Sequence, residues 1–233
     1  MQNEQILPES HPYFGAIKNR KLQDIEAFWR DGISVYASSD TKRDVLGQAF
    51  EEKDFELMEL ALKHGYHVDH AGNGFGVSAL MVAIVNGSRE LFDFFLSHGA
   101  NVNHPDKYGT TAYLNAVACG DRYFIEELKN CGANTERITD QGVNDFLKAA
   151  ENGHLEIMQY LLDQGRDINF TNCAGSTALV QASKSGSLEV VRWLLDHGAD
   201  IDAKDGQGKT ALQWAETNRH EAVAELLRQS GAK

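Results

Sequence analysis

Apolar residues follow the chain in short blocks with a helical period, and glycines separate the blocks. In the stretch 139–171 the longer block contains Leu155, Met158, Leu161 and Leu162. This spacing of three and four residues is typical of an amphipathic helix. A shorter block of apolar and small residues, Phe146–Ala150, precedes it, and Gly153 separates the two. The pattern predicts a pair of helices, the second of which ends at Gly165, where glycine supplies a positive φ without strain.

Glycine also recurs at a fixed interval of 33 residues in three separate registers. The registers are Gly76, Gly109, Gly142, Gly175 and Gly208; Gly87, Gly120, Gly153 and Gly186; and Gly99, Gly132, Gly165, Gly198 and Gly231. The residues between them repeat too, since Thr177-Ala178-Leu179 matches Thr210-Ala211-Leu212. One helix pair cannot bury its apolar faces alone, whereas copies lying side by side can. The period therefore predicts a stack of similar modules.

The repeated unit resembles the ankyrin repeat, whose signature reads G-x-T-P-L-H-x-A-A, then G-H-x-E-V-V-x-L-L-L, then G-A-D-V-N. Gly153-His154-Leu155-Glu156-Ile157 and Gly198-Ala199-Asp200-Ile201-Asp202 match its second and third parts. Alanine replaces the proline of the signature at Ala79, Ala112, Ala178 and Ala211. Proline is favoured but not required at a helix start. The resemblance implies an all-α ankyrin-repeat solenoid of about seven helix-turn-helix modules, with β-turn fingers and degenerate terminal caps.

Seven modules would fill the chain as a single domain, 1–233. The expected boundaries are 1–38 for an N-terminal cap, 39–72 for a degenerate repeat, 73–105, 106–138, 139–171 and 172–204 for repeats, and 205–233 for a C-terminal cap. In the first cap, helical spacing from Leu22 to Trp29 predicts a second helix within Ala16–Gly32. Leu96, Leu162 and Leu195 share one slot, and we expect them to form part of a buried column.

The resemblance also implies where a partner would bind, because partners of ankyrin proteins usually contact finger tips and exposed first-helix positions on the concave side. The corresponding residues are Phe75, Val77, Lys107, Tyr108, Thr110, Asp140, Gln141, Val143, Glu151, Asn152, Ser176 and Lys184. Phe75 and Tyr108 occupy the same tip slot in adjacent modules. Aromatic residues are enriched at interface hot spots. We therefore expect the pair to contribute to binding, with packing between the fingers as the alternative.

Candidate chemistry elsewhere is weak, and we predict no catalytic residue, metal or cofactor. His64, His67 and His70 are spaced by three, but His64 shares its slot with His98 and His197, which favours a structural role. Gly72–Gly76 lacks the dinucleotide-binding fingerprint as well as the lysine and hydroxyl of a P-loop. We expect Cys119 and Cys131 to be buried or half-buried structural thiols. Trp193 is expected in the core, and Trp214 is expected to pack as part of the C-terminal cap.

Charge and cysteine content narrow the class of partner and compartment. The net charge is −12, from 34 acidic and 22 basic side chains, so phosphate backbones and anionic membranes would repel the chain. The charge suits a basic protein partner or serves solubility alone. Three unpaired cysteines fit a reducing compartment. The sequence shows neither a signal peptide nor an apolar run of about 18 residues. We expect a cytoplasmic protein that is monomeric when free and binds neither nucleic acid nor membrane.

These features favour a non-enzymatic module for protein–protein interaction. An immunity protein or antitoxin-type inhibitor is the alternative, because the chain looks like a stand-alone ankyrin-repeat protein of the bacterial type, and some of those protect against secreted toxins. That alternative rests on analogy between family members.

Overall fold

The computed structural model describes residues 5–39, 45–70 and 75–233. Within these residues the chain forms fourteen helices and one pair of two-residue strands. The helices are α1 Pro12–Lys18, α2 Leu22–Arg30, α3 Val45–Glu52, α4 Phe55–Lys63, α5 Ala79–Val85, α6 Arg89–Ser97, α7 Ala112–Cys119, α8 Arg122–Asn130, α9 Asp145–Glu151, α10 Leu155–Asp163, α11 Ala178–Ser185, α12 Leu188–Asp196, α13 Ala211–Thr217 and α14 Glu221–Gln229. Strands β1 Ile6–Leu7 and β2 Ser38–Ser39 pair in parallel. The predicted all-α class is confirmed.

Two compact units divide these elements. The first comprises the described residues up to 83 together with Ser88–Asn101, and the second comprises Ile84–Gly87 and Val102–Lys233. In the first unit α1 pairs with α2, α3 pairs with α4, and α2 also contacts α4.

The first module contains a complete helical hairpin, and its second helix, α2, confirms the prediction of a second helix within Ala16–Gly32. Helix α1 ends at Lys18 because Arg20 adopts a positive φ of 53° and turns the chain into α2. The guanidinium of Arg20 then donates from Nε and Nη2 to Asp54, at 2.5 and 2.8 Å. Asp54 caps α4 by accepting from the amide of Leu57. The turn of one module is thus tied to the helix start of the next.

The second unit is a row of four hairpins, α7–α8, α9–α10, α11–α12 and α13–α14. The first helices contact one another in the order α7, α9, α11, α13, and α12 contacts α14. The second helices bury one apolar stripe each, made of Phe124, Ile125 and Leu128; Ile157, Met158 and Leu161; Val190, Val191 and Leu194; and Val223, Ala224 and Leu227. Burying each leucine contributes about 1.5–3 kcal/mol.

The predicted leucine column was assigned one residue too far along. Leu96, Leu162 and Leu195 are only half-buried, whereas Leu161 and Leu194 are at most 1% exposed. A one-residue step turns a side chain by about 100° around a helix axis, which moves it from the packed stripe to its edge.

The first helices begin after a polar N-cap residue that recurs in each module of the second unit. In the second unit the side-chain oxygens of the N-cap residues accept from the amide three positions on, and these residues are Thr111, Asn144, Thr177 and Thr210. Gln213 completes a capping box by accepting from the amide of Thr210. Each cap satisfies a backbone donor that the helix leaves free, and is worth about 1 kcal/mol.

The turn between the two helices of a module requires a left-handed residue. Gly186 has a φ of 76°, and a Cβ on it would lie 2.5 Å from the imidazole of His220 in the next module. The equivalent residue of the last module is Arg219, which holds a φ of 61° without being glycine. Non-glycine residues adopt this region at a cost of about 1–3 kcal/mol. The terminal module therefore retains the turn although it lacks the glycine.

One buried ion pair interrupts the alanine pattern of the stack. Asp145 is fully buried and accepts from Arg166 Nε at 3.0 and 2.9 Å and from the Tyr113 hydroxyl at 3.0 Å. Arg166 also donates to Glu136 at 2.5 Å and to the Thr135 carbonyl at 2.9 Å. Both slots hold alanine in four other modules, as the pairs Ala79 and Ala100, Ala112 and Ala133, Ala178 and Ala199, and Ala211 and Ala232. The aspartate and arginine thus replace two alanines together.

The electrostatics of this cluster keep Arg166 charged and Tyr113 neutral. Burial alone would lower the pKa of Arg166, but hydrogen bonds and charges of Glu136 and Asp145 outweigh it, so this pKa lies above its ordinary value. Burial, then the charge and hydrogen bond of Asp145, raise the pKa of Tyr113. Tyr113 therefore remains a neutral donor, and Arg166 remains the counter-ion of the buried carboxylate.

We expect Arg166→Ala to lower the free energy of unfolding by about 3–5 kcal/mol, because it leaves the carboxylate of Asp145 buried without its counter-ion. Adding Asp145→Ala should recover at least about half of that loss, since both slots then match the other modules. Urea denaturation followed by circular dichroism measures both effects. A double variant as unstable as the single one would contradict the compensation.

Arg219→Gly should raise the free energy of unfolding by about 0.5–1 kcal/mol, because glycine relieves the left-handed strain and this gain exceeds its entropic cost. Arg219→Ala is the matched control, since it removes the side chain but keeps the strain. Thermal melts of the two variants measure the difference. Equal stability of both would show that the turn stores no strain.

Candidate functional site

Four β-turn fingers precede the first helices of the second unit, spanning Asp106–Thr110, Thr139–Val143, Asn172–Ser176 and Asp205–Lys209. In each, the amide of the first residue donates to the carbonyl of the last, at 2.8–3.2 Å. A side-chain oxygen of the first residue also accepts from the amide of the last, as in Asp106 with Thr110 at 2.8 Å. The repeated Asp, Thr or Asn at this slot therefore closes the turn.

Neighbouring fingers are joined at their tips by backbone hydrogen bonds. The amide of Asp140 donates to the Tyr108 carbonyl at 3.0 Å, and the amide of Cys173 donates to the Gln141 carbonyl at 3.0 Å. The amide of Gly206 donates to the Ala174 carbonyl at 2.8 Å. These bonds fix the four tips in one row.

Close approach of the fingers explains a glycine at their turns. A Cβ on Gly142, whose φ is 78°, would lie 2.6 Å from the amide nitrogen of Cys173 on the next finger. Any side chain there would separate the two tips. Gly109, Gly142 and Gly175 are thus needed for the tip row as well as for the turn, whereas Gly208 on the last finger is needed for the turn alone.

The fingers of the second unit hold most of the finger residues predicted from sequence. Tyr108 is 54% exposed, and the ammonium of Lys107 lies 4.9 Å from the centroid of its ring. Asp140 and Gln141 on the next finger are exposed. Thr110 and Val143, at the bases of these fingers, are half-buried. We call the fingers of the second unit and those first-helix positions that are not buried the finger face.

Ser176 corrects the predicted set, because it is only 1% exposed. The serine lies at the base of its finger, directly before the N-cap Thr177, where the chain turns into the packed stack. It is unable to contact a partner from this position.

The remaining predicted residues lie elsewhere. Glu151 and Asn152 are exposed at the end of α9, where Lys148 pairs with Glu151 at 2.8 Å. Lys184 lies on α11 with 28% of its side chain exposed. Phe75, 49% exposed, and half-buried Val77 belong to the first unit.

Lys184 also belongs to a cluster around Trp214, whose other members, Lys209, Asp205 and Trp214 itself, were not among the predicted site residues. The ammonium groups of Lys184 and Lys209 lie 4.0 and 4.2 Å from the centroid of its ring. Trp214 Nε1 donates to Asp205 at 2.8 Å, and Lys184 Nζ lies 3.5 Å from the same carboxylate. Trp214 was expected to pack as part of the cap, but it is only half-buried. The repeat indicates an open position for Trp214, because the same slot holds Asn115, Lys148 and Gln181 in the three preceding modules.

Asp205 organises this cluster. Burial alone would raise its pKa, but hydrogen bonds from Trp214 and from the amides of Lys209 and Gln207, with the charge of Lys184, outweigh burial and lower it. The carboxylate is therefore ionised at neutral pH and bonded on both oxygens.

The histidines considered as metal ligands have separate surroundings. His64 Nε2 lies 3.0 Å from Glu26, and the His67 ring accepts from the Asp69 amide. His70 packs against Tyr36 with ring centroids 4.4 Å apart. No group of three or more His, Cys, Asp or Glu residues in the described ranges could hold a metal ion. In the glycine-rich segment Gly72–Gly76, residues 72–74 lie outside the described ranges.

Two expectations about burial are wrong. Cys119 and Cys131 are exposed, as is Cys173, because they lie at a helix end, a helix C-cap and a finger tip. Partial burial, then the charge of Asp121, raise the pKa of Cys119, which disfavours a nucleophilic thiolate. Trp193 is half-buried, and its ring stacks on His197 with centroids 3.8 Å apart.

Acidic charge is unevenly distributed over the second unit. On its fingers and first helices, the basic and acidic side chains that are not buried are equal in number. They are Lys107, Lys148, Lys184 and Lys209, and Asp106, Asp140, Glu151 and Glu216. The second helices instead carry an acidic excess, with Glu126, Glu127, Glu156, Asp163, Glu189, Asp196, Glu221 and Glu225 against Arg122, Lys129, Arg192 and Arg228. The finger face is thus less acidic than the side formed by the second helices.

Comparison with known proteins agrees with this geometry. A family profile described as ankyrin repeats (3 copies) matches residues 46–139 and 146–233, which is most of the chain. No curated protein gives a significant match. Among the described residues, no helix has the length and apolar character needed to cross a membrane. Ankyrin repeats are generally protein–protein interaction modules and are typically non-enzymatic. The chain belongs to the ankyrin-repeat family, because this match agrees with the repeat period, the stacked hairpins and the joined fingers of the chain.

Proposed function

We propose that this chain is a non-enzymatic interaction module that binds a partner protein through the finger face of its second unit. The observation that carries the proposal is the row of finger tips, whose backbones are joined while their side chains are left exposed. A surface held in this way loses little conformational entropy when a partner binds.

Tyr108 is the anchor that we propose on this surface. A tyrosine that is 54% exposed at a rigid tip offers a large amphipathic ring, which is a common feature of interface hot spots. Polar neighbours such as Gln141 and Asp140 would surround it as a rim. Phe75, in the equivalent slot of the first unit, remains a proposed contact of its own.

The charge distribution favours a partner that is not uniformly basic. An inhibitor of a basic toxin, the narrower form of the proposal, would need its acidic excess on the contact surface. The finger face is balanced, whereas the second helices are acidic. We therefore propose that the net charge of −12 serves solubility, and that the free protein is a monomer. Three exposed free thiols are compatible with a reducing compartment such as the cytoplasm.

Tyr108→Ala should weaken binding of the native partner by about 2 kcal/mol, or about 30-fold, because it removes the exposed anchor. The melting curve should change little, since the ring is not part of the core. Affinity capture from native lysate identifies the partner, and titration of the purified pair measures the affinity.

The matched control is Gln159→Ala with Glu156→Ala on α10, which alters a second helix. It should leave the affinity within about twofold. Loss of binding in this control, together with full binding by Tyr108→Ala, would place the contact on the second helices and refute the proposal.

A further inference from the structure

We infer that the Lys184, Lys209 and Trp214 cluster is a subsite for a carboxylate-bearing segment of the partner protein, that is, a stretch rich in Glu or Asp. The inference rests on the proposed function and adds the chemistry of one part of the ligand. Two ammonium groups converge on one half-buried indole, at 4.0 and 4.2 Å from its centroid.

The cluster carries more positive charge than its own carboxylate neutralises. Among the described residues, Asp205 is the one acidic side chain that forms an ion pair with either lysine, and its carboxylate lies 3.5 Å from Lys184 Nζ. Lys209 has a hydroxyl as its polar neighbour, with its Nζ 3.5 Å from Thr217 Oγ1. One ammonium group thus remains without a counter-ion on a protein whose net charge is −12.

The positions of these groups are set before any ligand binds. Asn218 Nδ2 and His220 Nε2 both donate to the Lys184 carbonyl, at 2.8 and 3.0 Å, so the last module fixes the end of α11. The indole is fixed by its hydrogen bond to Asp205. That carboxylate in turn accepts from the amides of Gln207 and Lys209, which holds the finger beside the ring.

The chemistry of the cluster favours a carboxylate. A lysine ammonium acts as a point charge, which suits a single carboxylate oxygen, and the cluster lacks the bidentate fork that arginine offers to phosphate. Because the site lies on the finger face, an acidic stretch could reach it while another part of the partner contacts Tyr108.

The test uses the full chain and a dye-labelled dodecapeptide of alternating Glu and Ala, with a Gln-for-Glu peptide as the uncharged control. Fluorescence anisotropy at low salt should show saturable binding of the acidic peptide and at least about tenfold weaker binding of the control. Lys184→Gln with Lys209→Gln should weaken the acidic peptide at least about tenfold, and Lys209→Gln alone should account for several-fold of this. Lys204→Gln makes the same charge change in the same module without contact to the ring, and should change affinity less than about twofold.

Equal binding by the double variant, or equal binding of the two peptides, would overturn the inference. Tighter binding of a single-stranded DNA of the same charge would assign the site to nucleic acid and would also overturn it. Capture of the native partner distinguishes failure of this inference from failure of the proposed function. If the peptide fails while Tyr108→Ala still abolishes capture, only the carboxylate subsite is wrong.

Discussion

Each helix pair in this protein is too small to bury its own apolar side chains, so the presence of a neighbouring pair is the constraint on which the structure depends. In the second unit, Leu161 and Leu194 are buried because α10 and α12 each lie in a stack. The same requirement fixes the interval of 33 residues, since a module of another length would misalign the stripes. It also positions the fingers, whose tips bond to each other only when the modules stay in register.

Stacking separates the residues that pack the modules together from those that remain on the surface. Second helices and the inner sides of first helices hold the stack together, which leaves finger tips and outer first-helix positions free to vary. Tyr108, Gln141 and Ala174 accordingly differ at one slot while their backbones form the same hydrogen bonds. The Asp145 and Arg166 pair shows that the interior can also vary, provided that two slots change together.

The repeat frame, the glycine turns and the all-α class were predictable, because each depends on local spacing. The exposure of single side chains was less predictable. Leu162 and Ser176 were misjudged because one step along a helix or finger moves a side chain between the packed and open sides. Residue type alone favours packing for Trp214, although the polar residues in its slot in the three preceding modules indicate an open position. The ion pair of Asp145 joins residues 21 apart, and only the folded module brings them together.

The central claim is that a partner covers the finger face, and hydroxyl-radical footprinting of the purified complex tests it most directly. The chain supplies matched reporters, because Tyr108 and Trp214 lie on the finger face while Tyr160 and Trp193 lie on second helices. We predict that binding protects Tyr108 and Trp214 from oxidation and leaves Tyr160 and Trp193 unchanged. Protection of Tyr160 and Trp193, with Tyr108 and Trp214 still oxidised as in the free protein, would contradict it.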